Sequence, residues 1–252
     1  MALYVLSDLH LSLSAQTDKS MEVFGPRWAN YTERIQKAWT ALVEPQDTVL
    51  IGGDLSWALT LEEAKEDLAF LHSLPGKKIL LKGNHDFWWT TLKKMNTYLE
   101  DNGYGDICFL QNSAYLCDGM VICGARGWFY EKDDAATHTG ADYERMIARE
   151  VGRLELSLKA AEDLTEGMED RPERIVFLHF PPLWNGTVCQ PIMDVLTAHG
   201  IRRCYFGHIH GAAQTQFEES GITFTLTAAD ALGFVPKRVF PSAGTENISA
   251  PA

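Results

Sequence analysis

Positive charge is what this sequence has least of. Its 252 residues carry 34 Asp and Glu against 22 Lys and Arg, a formal net charge of −12. A general nucleic-acid binder needs a basic face to neutralise phosphates, so extended nucleic acid is excluded as a partner. A small phosphate-bearing substrate is not, because bound metals invert the local field. Cysteine is also scarce: Cys108, Cys117, Cys123, Cys189 and Cys204 form an odd, scattered set with no C-x-x-C pair. That excludes a disulfide frame or zinc knuckle and predicts reduced core thiols in a cytoplasmic protein. No basic segment followed by an apolar one appears after Met1, so no secretory signal is expected. No apolar run approaches the ~20 residues that cross a bilayer, so no membrane partner is expected. Repeats, low-complexity tracts and composition shifts are missing too. The chain therefore reads as one domain over residues 1–252, with a disordered tail from Thr245.

What is present is a substantial apolar fraction, 46% of residues, arranged as short runs and helical stripes. Strands are expected at Leu3–Leu6, Asp47–Ile51, Lys77–Leu81, Cys108–Leu110, Ala114–Cys117, Met120–Cys123, Arg174–Leu178 and Arg203–Phe206. Asp118-Gly119 marks one hairpin, and Ser220-Gly221 joins Gln214–Phe217 to Thr223–Leu226 in another. Helical spacing predicts helices over Trp28–Val43, from a Thr60…Glu63 capping box through Leu74, over Trp88–Leu99, from about Thr139 to Leu164, and over Val188–His199. Leu11–Pro26, Glu131–Asp134 and Glu166–Glu173 read as loops. The order βαβαβα, a β-rich stretch, αβαβ and a hairpin has more strand than one wound sheet needs. It suggests α/β architecture with two packed sheets and helices outside.

The chemistry lies where strands stop. Asp8/His10, Asp54, Asn84/His85/Asp86, His179 and His208/His210 all follow expected strands, and open α/β sheets keep their ligand sites at such ends. Taken singly, each has a simpler reading: a turn cap, a loop His, a buried core His. Five of the eight histidines in these short turns point instead to metal. His72, His138 and His199 lie elsewhere and read as surface or helix-end residues. His208-x-His210 places two imidazoles on one side of an extended segment, as does Asp8-x-His10 with its carboxylate and imidazole. Seven candidate ligands, Asp8, His10, Asp54, Asn84, His179, His208 and His210, exceed one open site and suit two metals sharing a carboxylate. Asp, Asn and His donors without Cys fit divalent or trivalent Mn, Fe or Zn in a catalytic pair. Such a pair, about 3.5–4 Å apart, activates a bridging water and clamps both oxygens of an in-line displacement at phosphorus.

D-x-H, G-D, G-N-H-D, a lone H after a strand and G-H-x-H occur in that order from Asp8 to His210. This series resembles the calcineurin-like metallophosphoesterases, and more narrowly a compact bacterial branch of predicted phosphohydrolases. The resemblance implies a four-layer αββα sandwich of two mixed sheets flanked by helices, with a dinuclear metal site. It implies that Asp8, His10 and His210 hold one metal, that Asn84, His179 and His208 hold the other, and that Asp54 bridges them. His85 would be the general acid for the leaving oxygen, oriented by Asp86. The implied reaction is hydrolysis of a small phosphate mono- or diester by a metal-bridging hydroxide. Phosphoprotein phosphatases of the superfamily carry an Asp-Arg pair after the second motif. Asp54-Leu55-Ser56-Trp57 stands here instead, which removes one phosphate-gripping Arg. Two alternatives follow: a catalytically silent metal-binding scaffold, and a phosphodiesterase for a cyclic nucleotide or short oligonucleotide.

Outside the ligand set, Arg126 and Asn84 are candidate substrate contacts, Arg126 because its forked guanidinium suits phosphate. The plainer reading of Arg126 is a surface salt bridge. Lys237 and Arg238 are weaker candidates of the same kind. Trp57, Trp88, Trp89 and Trp184 each lie near a motif. They either seal the core or stack on an aromatic leaving group, and Trp88 and Trp89, beside His85, are the first to consider for substrate contact.

Overall fold

The computed structural model describes residues 1–15, 17, 19–128 and 140–241. The expected loop at Glu131–Asp134, His138 and the tail from Thr245 lie outside the described residues. In chain order the elements are β1 (Leu3–Leu6), two 3-10 turns (Met21–Phe24 and Pro26–Trp28), α1 (Tyr31–Leu42), β2 (Thr48–Ile51), α2 (Lys65–Ser73), β3 (Lys77–Leu80), α3 (Leu92–Asn102), β4 (Ile107–Phe109), β5 (Tyr115–Cys117), β6 (Met120–Ala125) and α4 (Gly140–Leu164). There follow β7 (Glu173–Leu178), β8 (Leu183–Trp184), β9 (Thr187–Val188), α5 (Gln190–Ala198), β10 (Arg203–Phe206), β11 (Gln216–Glu219), β12 (Ile222–Leu226) and β13 (Lys237–Val239).

The strands form two large mixed sheets and a small hairpin, β8-β9. One sheet has five strands in the order β13-β1-β2-β3-β4, parallel except for β13 against β1. The other has six, β11-β12-β10-β7-β6-β5, with antiparallel pairs only at its two edges. Alternation along each strand decides the layers. Leu3, Val5, Leu50 and Ile79 meet Ile122, Ile175, Phe177 and Tyr205 between the sheets. Tyr4, Leu6, Val49 and Ile51 face the other way, onto Ile35, Trp39, Leu68, Leu71 and Met95 of α1–α3. Val121, Cys123, Val176 and Phe206 face Leu154, Leu158, Ile192 and Leu196 of α4 and α5. Helix, sheet, sheet, helix is the four-layer order the resemblance implies. At one end the sheets are stitched together: Ser7, just past β1, pairs with Ala228, just past β12. The Ser7 amide donates to the Thr227 carbonyl, the Ser7 carbonyl accepts the Ala229 amide, and the hydroxyls of Ser7 and Thr227 lie 2.7 Å apart. This stitch brings the carboxyl ends of β1 and β2 beside those of β10 and β12.

Several boundaries differ from expectation, for local reasons. Residues 88–91 are not helical: α3 starts only after Thr91, whose side chain accepts the Lys94 amide (3.4 Å), and Gly103 in the left-handed region (φ 73°) ends it. The stretch before it is held in a turn by Phe87 and Trp89 amides bonding the His85 and Asp86 carbonyls. At Thr60 the capping bond forms (Glu63 N–H to Oγ1, 3.2 Å), but Glu63 returns its carboxylate to the Leu59 amide (2.9 Å), and α2 proper begins at Lys65. Thr187-Val188 pairs with Leu183-Trp184 across Asn185-Gly186, both at positive φ, so α5 starts at Gln190. Strand β13 was not anticipated; it closes the edge beside β1 and carries the exposed Lys237 and Arg238. All five cysteines are unpaired, four of them buried. Among the described residues no helix is long and apolar enough to cross a membrane.

Lys78, on β3, is almost wholly buried. Its ammonium donates to the Leu74 carbonyl and to Asp106, which also bonds His72. Burial lowers the Lys78 pKa more than Asp106 raises it. For Asp106 burial acts upward, but the Lys78 and His72 bonds outweigh it and hold the carboxyl below its usual value.

Candidate active site

Every expected ligand lies at a carboxyl end of β1, β2, β3, β7 or β10, and the structure brings them into two groups. Donor atoms of Asp8, His10 and His210 lie within 4.8 Å of one another, and so do those of Asp54, His179 and His208. One oxygen joins the groups: Asp54 Oδ2 is 3.7 Å from His10 Nε2 and 3.5 Å from His179 Nε2. Asn84 Oδ1 completes the second group, 2.6 Å from His179 Nε2 and 3.0 Å from His208 Nδ1.

The backbone is forced to present these side chains. Asp8 (φ 58°), His10 (φ 46°), Asp54 (φ 52°) and His208 (φ 69°) all sit in the left-handed region. For each that conformation costs on the order of 1–3 kcal/mol, held by the surrounding packing. Two glycines make room. A Cβ on Gly83 would lie 2.0 Å from Asp54 Oδ1, and one on Gly207 2.5 Å from Asp8 Oδ2. Both carboxylates thus nest directly against backbone. Their free bonds go there too: Asp8 accepts the His208 amide (2.9 and 3.0 Å) and Asp54 the His85 amide (2.8 Å).

The imidazoles are oriented from behind. The His179 Nδ1 bonds the Gly52 carbonyl (3.1 Å), which turns Nε2 into the site. The His210 Nδ1 bonds Asp230 Oδ1 (2.9 Å), leaving its Nε2 3.2 Å from His10 Nε2. The two nitrogens share one hydrogen bond, whose donor depends on the tautomer, and both belong to the first group of possible metal ligands. Burial, then the Asp54 charge, pushes Asp8 well above the usual carboxylate range, and burial, then Asp86, does the same to Asp54. Burial, then neighbouring histidines, pushes His10 and His179 well down. The lowered histidines are neutral imidazoles, the form that ligates metal, whereas the raised carboxyls are buried next to one another and would be stabilised as carboxylates by a bound cation. The residues fit two metal ions.

Asp230 was not anticipated. It lies just beyond β12, its side chain 1% exposed, and also binds the Gly211 amide and faces Arg27 (3.4 Å). A carboxylate behind a ligand His fixes its tautomer and strengthens it as a donor. The available signal was its place: one more strand end carrying a polar residue.

Asp86 takes a different part from the one expected. Its carboxylate accepts five N–H groups: Gly83 (2.7 Å), Asp54 (2.9 Å), Leu55 (2.9 Å), Ser56 (3.3 Å) and the Trp88 indole (3.0 Å). It ties the loop after β3 to the loop after β2, and so fixes His85 through the loop it stands on. The His85 ring packs against Trp57 (centroids 4.4 Å) and lies 5.6 Å from the His10 ring. With His10, Trp28, Arg27 and His210 these rings line a cleft of about 200 Å³.

Arg126 follows β6 and donates to Glu150 (3.2 Å), the salt bridge of its plainer reading. Its charge acts against the upward push of burial and Asp86 on Asp54, as the smallest of the named influences, and the Asp54 pKa stays raised. Its carbonyl accepts the His179 amide (3.0 Å). Neither Lys237 nor Arg238 lines the cleft. Of the four tryptophans only Trp57 does. Trp88 is buried on Asp86, Trp89 bonds Gln111 (2.9 Å), and Trp184 packs on Phe206 and Phe217.

A family model described as calcineurin-like phosphoesterase matches residues 1–212. No curated protein sequence matches the chain. Among solved structures, phosphopantetheinyl hydrolase from Mycobacterium tuberculosis is similar at 16% identity and TM-score 0.51, over 100% of this chain and 98% of that one. The protein TT1561 of Thermus thermophilus is similar at 13% identity and TM-score 0.52, over 91% and 89%. At these identities the likeness is one of fold.

Proposed function

The chain belongs to the calcineurin-like phosphoesterase family, and from that premise we propose that it is a dinuclear-metal-dependent hydrolase of a small phosphate mono- or diester. One observation carries the reading: Asp54 Oδ2 stands between His10 and His179 and so joins two ligand groups into one centre. Two bound ions of the Mn, Fe or Zn kind would supply Lewis-acid activation of a water and neutralise the phosphate. Asp8, His10 and His210 would hold one, Asn84, His179 and His208 the other, with Asp54 shared.

The remaining work belongs to the chain. Asp230 and the Gly52 carbonyl keep His210 and His179 turned inward. Asp86 locks the loop that presents His85 at the cleft. The bond from phosphorus to the leaving oxygen breaks, and that oxygen takes a proton from His85. The oxygen of water forms the new bond to phosphorus, and the proton the water sheds returns through solvent to His85. Arg126 holds the loop behind His179 through its carbonyl, while its guanidinium is engaged with Glu150. The acidic chain offers no basic track, so a small ester suits the site better than a polymer.

Turnover of an aryl phosphate monoester and diester, with added Mn and metal content measured alongside, tests the reading. Hydrolysis of at least one, abolished by Asp54→Asn, is the expected result. A metal-loaded protein that turns over neither is a scaffold, and the proposal fails.

A further inference from the structure

Resting on the phosphoesterase reading above, we propose that the substrate's leaving group is apolar and occupies a side pocket behind Trp57. That pocket, of about 380 Å³, is lined by Lys19, Ser20, Val23, Phe24 and Trp57. Trp57 and Phe24 also wall the metal cleft, so the two cavities share a partition. One face of the partition belongs to the chemistry: the Trp57 ring stacks on His10 (4.8 Å, 24°) and touches His85.

Direction follows from the proton. His85 protonates the leaving oxygen, so the carbon on that oxygen leaves the cleft beside the rings nearest His85. Trp57 is the nearest of these (4.4 Å), and Phe87 is farther, at 6.3 Å. Beyond Trp57 the walls are apolar and uncovered: Val23 is 80% exposed and Phe24 63%. Large apolar side chains left in water around a concavity that continues a catalytic cleft mark a ligand pocket. The one charge among the lining residues, the Lys19 ammonium, stands over the Trp57 ring (5.3 Å). Trp57 follows the second motif, so the segment that lacks a phosphate-gripping Arg provides an apolar partition instead.

The test compares ethyl phosphate with 2-cyclohexylethyl phosphate, whose leaving oxygens are of similar basicity, on the metal-loaded full chain. A tenfold or greater preference in kcat/KM for the larger ester is expected, and Val23→Ser with Phe24→Ser should erase it. Both residues are exposed, so the double variant keeps its core. A second arm needs no turnover: NMR titration of the metal-free protein with 2-cyclohexylethanol and with ethanol. The larger alcohol should bind at least tenfold tighter and shift the Trp57 indole resonance, and the double variant should lose both effects. Equal handling of the two esters, or equal binding of the two alcohols, overturns the proposal. If neither ester is hydrolysed, the aryl monoester and diester assay above decides the phosphoesterase reading, and the alcohol titration still decides the pocket.

Discussion

Asp86→Asn is the substitution that most directly probes how the catalytic loop is held. It keeps the volume and removes one acceptor. In the native chain Oδ2 receives the Gly83 and Asp54 amides, and Oδ1 receives Leu55, Ser56 and the Trp88 indole. Whichever way the new amide turns, its NH₂ faces at least two buried N–H donors. Each donor stranded in this way costs about 1–3 kcal/mol, a gross loss of about 2–6 kcal/mol. Part is recovered, because burial is the largest influence on Asp86 and raises its pKa, so a neutral side chain relieves some desolvation. The net expectation is a loss of about 2–3 kcal/mol, a large share of the roughly 5–15 kcal/mol of a typical domain. Urea unfolding of the metal-free protein at pH 7 in chelator, followed by tryptophan fluorescence, measures it without interference from metal. A loss below about 1 kcal/mol with an unchanged m-value would refute the assignment of Asp86 as the brace between the two loops.

His85→Ala should lower kcat by about a hundredfold or more while elemental analysis finds the same metal content, and loss of metal would show that His85 is a ligand. Asp230→Asn should weaken metal binding by about 10- to 100-fold, measured by competition with a chromophoric chelator, and unchanged affinity would deny Asp230 its orienting role. Asp106 contributes to the acid side of the stability profile. Its carboxyl is held below its reference value of 3.8, so its contribution is complete above that pH and is lost as pH falls through the depressed folded value. Thermal melts of Asp106→Asn should therefore fall less steeply than wild type between about pH 4 and pH 2, and parallel curves would contradict the sign.

The site was legible in the sequence because its parts are local. Each candidate ligand sits within a few residues of the apolar run that carries it, so reading where runs stop singled out Asp8, His10, Asp54, Asn84, His179, His208 and His210, whose donor atoms the structure brings into two groups. The four layers were legible for a similar reason: α1 and α4 show their buried stripes at helical spacing. What adjacency did not show was the set of backbone amides on Asp86. Its neighbour in sequence is His85, but its hydrogen bonds reach back to residues 54–56, and no local pattern announces a carboxylate filled by backbone amides. Asp230 was hidden likewise, since the His210 it supports is twenty residues earlier and β11 and β12 intervene. Trp88 and Trp89 were placed in a helix and near the substrate because aromatic runs favour neither helix nor turn strongly. Thr91 decides the start of α3, and the Asp86 carboxylate draws Trp88 inward. Strand β13 is three residues long, too short for alternation to show, and owes its existence to pairing with β1.

The central claim is that one carboxylate joins two ligand groups into a dinuclear centre. Metal content per chain, after loading with Mn and removal of free ions, measures this most directly. The account predicts about two ions in the wild-type protein, and fewer than two in Asp54→Asn because both groups lose the shared oxygen. One ion or none in the wild type, or two ions held with unchanged affinity by Asp54→Asn, would contradict it.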